Sequence, residues 1–169
     1  SAGAGADFKA GWAGRTEALR ERKRLKRRLL LAARQFNKQP TKQYWLEYAQ
    51  DIGVLPSPAT PSDVARLFLE TPGLDKTAVG DYISEEPVRK PFNAEVMANF
   101  VKSFDFRGVR IDLALRRFLE SFRLPGEAQK VDRLMEAFGK HLYEQNLLGE
   151  AELAARLARQ QARQIELDK

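Results

Sequence analysis

The sequence predicts an all-α protein whose helices form a stacked array rather than a parallel bundle. Three observations lead to this prediction. Apolar residues recur at spacings of three and four along most of the chain, as in amphipathic helices. No segment shows the strict apolar–polar alternation of a half-buried strand. Pro and Gly interrupt the apolar pattern at short intervals, so we expect short helices that pack on their neighbours at large angles.

The N-terminal part begins with residues 1–14, which are small, rich in Gly and Ala and without period. We predict a flexible lead-in there. A basic helix follows from about Thr16 to Phe36, and Pro40 ends it because proline interrupts helical hydrogen bonding. A second helix is predicted from about Thr41 to Ile52.

The third helix has the clearest start signal. Thr60, Pro61 and Asp63 form the pattern of a capping box with proline at the first helical position. Pro72-Gly73 ends this helix. Asp75 is then expected to cap a short fourth helix.

Two further caps and one break organise the C-terminal part. Asn93 is predicted to cap the fifth helix and Asp112 the sixth. A Pro-Gly break at residues 125–126 separates the sixth helix from a seventh. From Leu147 to Lys169 the chain is rich in Ala, Arg and Gln with a narrow, weakly apolar stripe. We therefore predict an added tail helix that docks on another element or subunit.

Composition excludes several kinds of site. The 169 residues suit one domain, or one domain with an appendage. No cysteine is present, which excludes disulfides and thiolate metal sites. The only histidine is His141, which we place on the solvated side of its helix. We expect no metal, no cofactor and no covalent chemistry, so whether the chain counts as an enzyme stays open.

The positive charge is concentrated in one segment. Residues 15–38 carry ten Lys or Arg and two Glu, a local net charge of +8 within a chain total of +6. Such a run suits nucleic-acid phosphates, anionic lipid headgroups or simply a solvated helix face. The candidate residues for an anionic surface are Arg22, Lys23, Arg24, Lys26, Arg27 and Arg28.

A single carboxylate stands at the break between the sixth and seventh helices. Glu127 follows Pro125 and Gly126, and we place it in the first turn of the seventh helix. The helix dipole favours an ionised carboxylate at that position. Taken alone, the residue is more simply explained as an ordinary helix-initial acid after a Pro-Gly turn.

The segment around this carboxylate resembles a known family. FRLPGEAQKVDRLMEAF, residues 122–138, is similar to the first signature motif of Sec7 domains, the guanine-nucleotide exchange modules for small ARF-type GTPases. The likeness continues upstream through RQFNKQP and the segments 55–84 and 92–122, so that it covers roughly residues 34–146. Nothing after Asn146 matches the second signature of the family.

The resemblance implies a function as well as a fold. It implies a Sec7-like superhelical array, with the domain in residues 15–146 and the tail in residues 147–169. It implies that Glu127 is a finger that displaces Mg²⁺ and the GDP phosphate from an ARF-family GTPase. The residues expected to bind the GTPase are Phe122, Arg123, Leu124, Pro125, Gly126 and Gln129.

The resemblance also implies a place in the cell and leaves an alternative role open. We expect a cytoplasmic protein of vesicle transport, with peripheral attachment to the Golgi or another endomembrane left open. The alternative is a non-catalytic, Sec7-derived scaffold or assembly subunit whose basic helix binds nucleic acid or an anionic membrane.

Overall fold

The computed structural model describes the backbone of residues 3–167 and the side chains of residues 15–147 and of Arg159. Within that range all regular secondary structure is helical, which confirms the all-α prediction. The seven helices are α1 (Gly3–Lys38), α2 (Tyr44–Asp51), α3 (Pro61–Glu70), α4 (Lys76–Ile83), α5 (Pro91–Lys102), α6 (Ile111–Glu120) and α7 (Ala128–Leu167).

The first and last helices are longer than predicted. α1 begins at Gly3 rather than near Thr16, so residues 3–14 have a helical backbone. α7 passes through residues 146–147 without a break. The assignment of residues 1–14, 15–146 and 147–169 as separate regions stays a prediction. The side chains that would dock the tail lie outside the described residues, Arg159 excepted.

The chain divides into two compact units, of which the first comprises residues 1–75. In this unit α1 packs on α2. Its core contains three aromatic rings, with Phe36 lying 5.0 Å from Trp45 and 4.9 Å from Phe68 between ring centroids. Aromatic pairs at this spacing contribute packing beyond the area they bury. The predicted capping box is present, because Thr60 accepts a hydrogen bond from the Asp63 N–H and Asp63 accepts one from the Thr60 N–H.

The second unit comprises residues 76–169 and has an aromatic core of its own. α5 packs on α4 and on α7, and α6 also packs on α7. Phe118 is at the centre of the cluster, 4.9 Å from Phe122 and 5.3 Å from Phe138 between centroids. The other rings of the cluster are Phe100, Phe104 and Phe106.

Three local predictions in this unit are wrong. Asn93 lies inside α5, where it is buried and donates a hydrogen bond to the Tyr82 carbonyl, so it is not a cap. Asp112 lies in the first turn of α6 behind the N-cap residue Arg110. His141 is half-buried rather than solvated. Its Nε2 lies 2.9 Å from the carbonyl oxygen of Phe104, an interaction that ties α7 to the segment after α5.

No helix in the described part of the chain combines the length and the apolar character needed to cross a bilayer.

Candidate functional site

The candidate site is the corner between α6 and α7, which we define as residues 122–127. It begins with Phe122, whose side chain is 2% exposed. The Phe122 ring lies 4.9 Å from that of Phe118 and 6.0 Å from that of Phe100. The corner is therefore anchored at its first residue by the aromatic core.

Helix α4 holds the next part of the corner. The Arg123 N–H donates to the Lys76 carbonyl at 3.0 Å, and the Lys76 ammonium donates to the Glu120 carbonyl at 2.5 Å. One turn further along α4, a Cβ on Gly80 would overlap the carbonyl oxygen of Arg123. The α4 backbone consequently lies directly against the backbone of the corner, which only glycine permits at residue 80.

The second half of the corner faces outward. Leu124 is 44% exposed and Pro125 is buried, whereas Gly126 and Glu127 are exposed. The Glu127 carbonyl accepts hydrogen bonds from the N–H groups of Lys130 and Val131, at 3.0 and 3.1 Å. Glu127 therefore immediately precedes α7. The prediction that it lies in the first turn of this helix is wrong. Its side chain is 72% exposed and remains at the positive end of the helix dipole.

A lysine that the sequence analysis did not single out connects this carboxylate to α4. The Lys130 ammonium lies 3.0 Å from Glu85, 3.4 Å from Glu127 and 3.7 Å from Asp81, measured to carboxylate oxygens. The Lys130 side chain is only 12% exposed. Burial alone would lower the pKa of Lys130. Its hydrogen bond and charge contact with Glu85, together with Glu127 and Asp81, outweigh burial and raise that pKa above its ordinary value.

Three carboxylates therefore surround one ammonium group, and the most exposed of the three belongs to Glu127. The arrangement leaves a local excess of negative charge on the surface of the second unit. It is not a metal site, because the centre of the cluster is occupied by the lysine. The described part of the chain contains no cluster of side chains able to hold a metal ion.

The predicted GTPase-binding residues divide into two groups. Arg123, Leu124, Gly126 and Gln129 are exposed, so all four are on the surface next to Glu127. The side chains of Phe122 and Pro125 are instead buried and support the corner from inside.

Three residues that fix this geometry were not identified from the sequence. They are Lys76 and Gly80 of α4 and Lys130 of α7. Gly80 gave a signal, because glycine inside a short helix costs about 1 kcal/mol relative to alanine and therefore suggests a packing reason. Lys130 gave a weaker one, since it lies three residues after Glu127 and pairs at that spacing are common. Lys76 gave none, because its partners Glu120 and Arg123 are far away in the sequence.

The predicted anionic surface on α1 is less uniform than expected. Arg22, Lys23, Lys26 and Arg27 are exposed. Arg24 is exposed but lies 3.5 Å from the carboxylate of Glu21. Arg28 is half-buried and its Nη1 donates to the Ile52 carbonyl at 3.3 Å. Arg28 thus takes part in the packing of the first unit.

Comparison with known proteins identifies the family. Residues 25–160 match the family model described as the Sec7 domain, which extends beyond Asn146, where we ended the likeness. The ARF guanine-nucleotide exchange factor GNL2 of Arabidopsis thaliana is 43% identical over 127 residues, covering 75% of this chain and 9% of that protein.

Two solved structures are similar in sequence and in fold. The Sec7p catalytic domain is 41% identical with a TM-score of 0.61, over 68% of this chain and 57% of that one. The structure of ARF1-GDP bound to a Sec7 domain complexed with Brefeldin A gives 27% identity and a TM-score of 0.63, over 74% of this chain and 60% of that one. The chain belongs to the Sec7 domain family.

Proposed function

We propose that this chain is a guanine-nucleotide exchange factor for an ARF-family GTPase and that Glu127 is the residue that displaces the nucleotide. The observation that carries the proposal is the exposed Glu127 carboxylate at a corner whose other parts are fixed. The class of substrate is supported by the similar Arabidopsis protein, which is an ARF exchange factor, and by the similar Sec7 domain that was solved bound to ARF1-GDP.

The physical basis is competition between negative charges. A small GTPase holds the phosphates of its nucleotide through a backbone loop, a lysine and Mg²⁺, so that most of the binding is electrostatic. A carboxylate brought near the β-phosphate repels it and offers the loop lysine another partner. Two unit charges about 4 Å apart interact by about 4 kcal/mol at an effective dielectric of about 20. Since about 1.4 kcal/mol corresponds to a factor of ten, this effect alone accelerates release about a thousandfold.

The residues around Glu127 hold its side chain in the free protein and also allow that side chain to turn toward a partner. Lys130 holds the carboxylate in the free protein at 3.4 Å. When Glu127 turns toward a GTPase, Lys130 keeps Glu85 at 3.0 Å and Asp81 at 3.7 Å, so no buried charge is left unpaired. The loss of the Glu127 contact is therefore small, because the contact is exposed and is one of three.

The anchoring of the corner explains why a short side chain can act on a partner. An unanchored loop would have to be ordered upon binding, at a cost of about 1–2 kcal/mol per residue. Phe122 and Arg123 are already fixed by the aromatic core and by α4. The exposed Leu124 then provides apolar contact area, and Gln129 lies on the first turn of the helix that follows.

The test is the rate of GDP release from a purified ARF-family GTPase. We expect the unmodified chain to accelerate release and the Glu127→Gln variant to lose at least about a hundredfold of that acceleration, since the charge is removed while the shape is kept. Glu127→Lys reverses the charge and is expected to lose all acceleration. Glu136→Gln is the matched control, because it removes one exposed carboxylate from α7, the helix that follows Glu127, without touching the corner.

Two outcomes would overturn the proposal. If Glu127→Gln and Glu136→Gln accelerate release equally well, the finger is not the displacing residue. If the unmodified chain leaves the release rate unchanged, the exchange function is wrong for this chain, and the alternative of a non-catalytic Sec7-derived scaffold is favoured. The cytoplasmic location with attachment to an endomembrane stays a prediction.

A further inference from the structure

The exposed part of α1 has charges that are sorted by face. The helix advances by about 100° per residue, which places Glu17, Glu21, Arg20, Arg24 and Arg28 on one side. The carboxylates on this side form ion pairs. Glu17 lies 3.4 Å from Arg20, and Glu21 lies 3.5 Å from Arg24 and 3.6 Å from Arg28. Glu17 and Glu21 therefore neutralise arginines of one face only.

The opposite side carries further cations, and we define the basic face by four of them, Arg22, Lys23, Lys26 and Arg27. These four residues span an arc of about 140° and are all exposed. Among the described residues, no carboxylate lies within ion-pair distance of any of them. The basic face is accordingly a surface of four cations without internal compensation.

Two leucines occupy the middle of this arc. Leu19 is 55% exposed and Leu30 is 38% exposed, and both are on the same side of α1 as Lys23 and Lys26. A helix face that combines central apolar side chains with flanking cations suits the boundary between lipid headgroups and acyl chains. The lysine stems can lie along the apolar region while their ammonium groups reach the headgroups.

We propose that the basic face of α1 binds the surface of an anionic lipid bilayer, with Leu19 entering the interfacial region. Nucleic acid is the less favoured partner, because no aromatic side chain that could stack on a base lies among the cations between residues 15 and 34. Phosphate recognition in solution also gives no reason for exposed leucines at the centre of the surface. The proposal does not depend on Glu127 or on exchange activity.

The first experiment measures co-flotation of the full chain with phosphatidylcholine vesicles that either contain or lack phosphatidylserine. We expect binding only to the anionic vesicles, weakening as salt is added. The variant Lys23→Gln with Lys26→Gln should bind about 25-fold more weakly, since each basic residue near such a surface strengthens binding about fivefold. The matched control is Arg20→Gln with Arg24→Gln, which removes the same charge from the other face and should bind within about threefold of the unmodified chain.

The second experiment separates a bilayer from other polyanions. Leu19→Gln should weaken vesicle binding about three- to tenfold, because an apolar side chain is lost from the interface. Leu25→Gln replaces another exposed leucine outside the basic face and should leave binding unchanged. Binding of a duplex RNA or DNA fragment is measured with the same variants. Circular dichroism of each variant verifies that helix content is retained.

Clear results would overturn the proposal. Equal losses for the two charge variants would mean that only net charge matters. Equal binding by Leu19→Gln and the unmodified chain, or tighter binding to the nucleic acid than to the vesicles, would exclude bilayer insertion. GDP release in solution without vesicles should be the same for Lys23→Gln with Lys26→Gln as for the unmodified chain, so failure of this proposal is distinguishable from failure of the exchange function.

Discussion

The chain contains two Pro-Gly corners that look alike in sequence and differ in what holds them. At residues 72–73, in the first unit, Gly73 has a left-handed backbone with φ of +83°. The Asn37 side chain donates to the Gly73 carbonyl and accepts from the Asp75 N–H, both at 2.8 Å. This glycine is required by the fold itself, because other residues adopt that conformation only with strain.

At residues 125–126, in the second unit, the glycine has no such role. Gly126 lacks a left-handed φ, and a Cβ added to it would meet no atom within 4 Å. The residue that this corner does require as glycine is Gly80 of α4, which lies against the Arg123 carbonyl. The second corner is thus held from behind by α4, and the space around Gly126 is left open in front.

The Pro-Gly dipeptide therefore has a different structural role in each of the two corners. The first corner uses glycine for its own backbone conformation. The second leaves room on its outer side, which suits close approach by another molecule, in agreement with the proposed binding of a GTPase next to Glu127. Four substitutions test this distinction, beginning with the largest expected effect.

Gly80→Ala is expected to lower the free energy of unfolding by at least about 3 kcal/mol. The new methyl group overlaps backbone of the corner, which cannot move aside as a flexible side chain can. Urea unfolding monitored by circular dichroism measures the effect. Gly139→Ala in α7 is the control, because a Cβ there meets nothing within 4 Å, and it should stabilise the protein by up to about 1 kcal/mol. Equal effects of the two changes would contradict the close approach of α4.

Asn37→Ala is expected to cost about 2 kcal/mol, since two hydrogen bonds to the first corner are lost together. Asn37→Asp keeps the acceptor for the Asp75 N–H but places a carboxylate oxygen against the Gly73 carbonyl, so it should cost at least as much as Asn37→Ala. The same urea titration applies. A cost below about 0.5 kcal/mol for Asn37→Ala would mean that Gly73 alone maintains the corner.

Gly73→Ala should destabilise the protein by about 1 kcal/mol, because alanine adopts a left-handed backbone only with strain. Gly73→Asn should cost less, as asparagine tolerates this conformation better than alanine does. The change in thermal midpoint of the two variants, measured side by side, gives the ranking. If Gly73→Ala were more stable than Gly73→Asn, the left-handed φ at residue 73 would not be the cause of the destabilisation.

Gly126→Ala has the smallest expected effect on stability and the opposite sign. We expect a gain of about 0.5 kcal/mol or no change, because the backbone is compatible with alanine and the unfolded chain loses freedom. GDP release should nevertheless slow, since a methyl group then occupies the side where the GTPase approaches. Unfolding and exchange are measured on one preparation. A loss of stability comparable to that of Gly73→Ala would remove the difference between the two corners.

Local signals made much of the fold predictable from the sequence. The spacing of apolar residues identified the all-α class, and the Thr60–Asp63 capping box is present as predicted. These features depend on residues within one helical turn of each other. The Pro-Gly break before α7 belongs to the same kind of signal.

What the sequence did not reveal depends on partners far apart in the chain. Asp81 of α4 and Glu85 of the segment after it reach Lys130, and Asn93 is buried because its side chain bonds to the Tyr82 carbonyl. His141 was placed in solvent for the same reason, since its partner Phe104 is on another segment. Hydropathy and spacing do not encode which of several polar residues meets which backbone group.

The unbroken course of α7 has a mechanical consequence for the Glu127 carboxylate. Its 40 residues form a rod about 60 Å long, starting directly behind Glu127. Leu134, Phe138 and Leu142 bury roughly the first four turns of this helix in the core, so a bend can begin only beyond Leu142. A bend of about 5° there moves the distant end by about 3 Å and leaves the Glu127 carboxylate where it is.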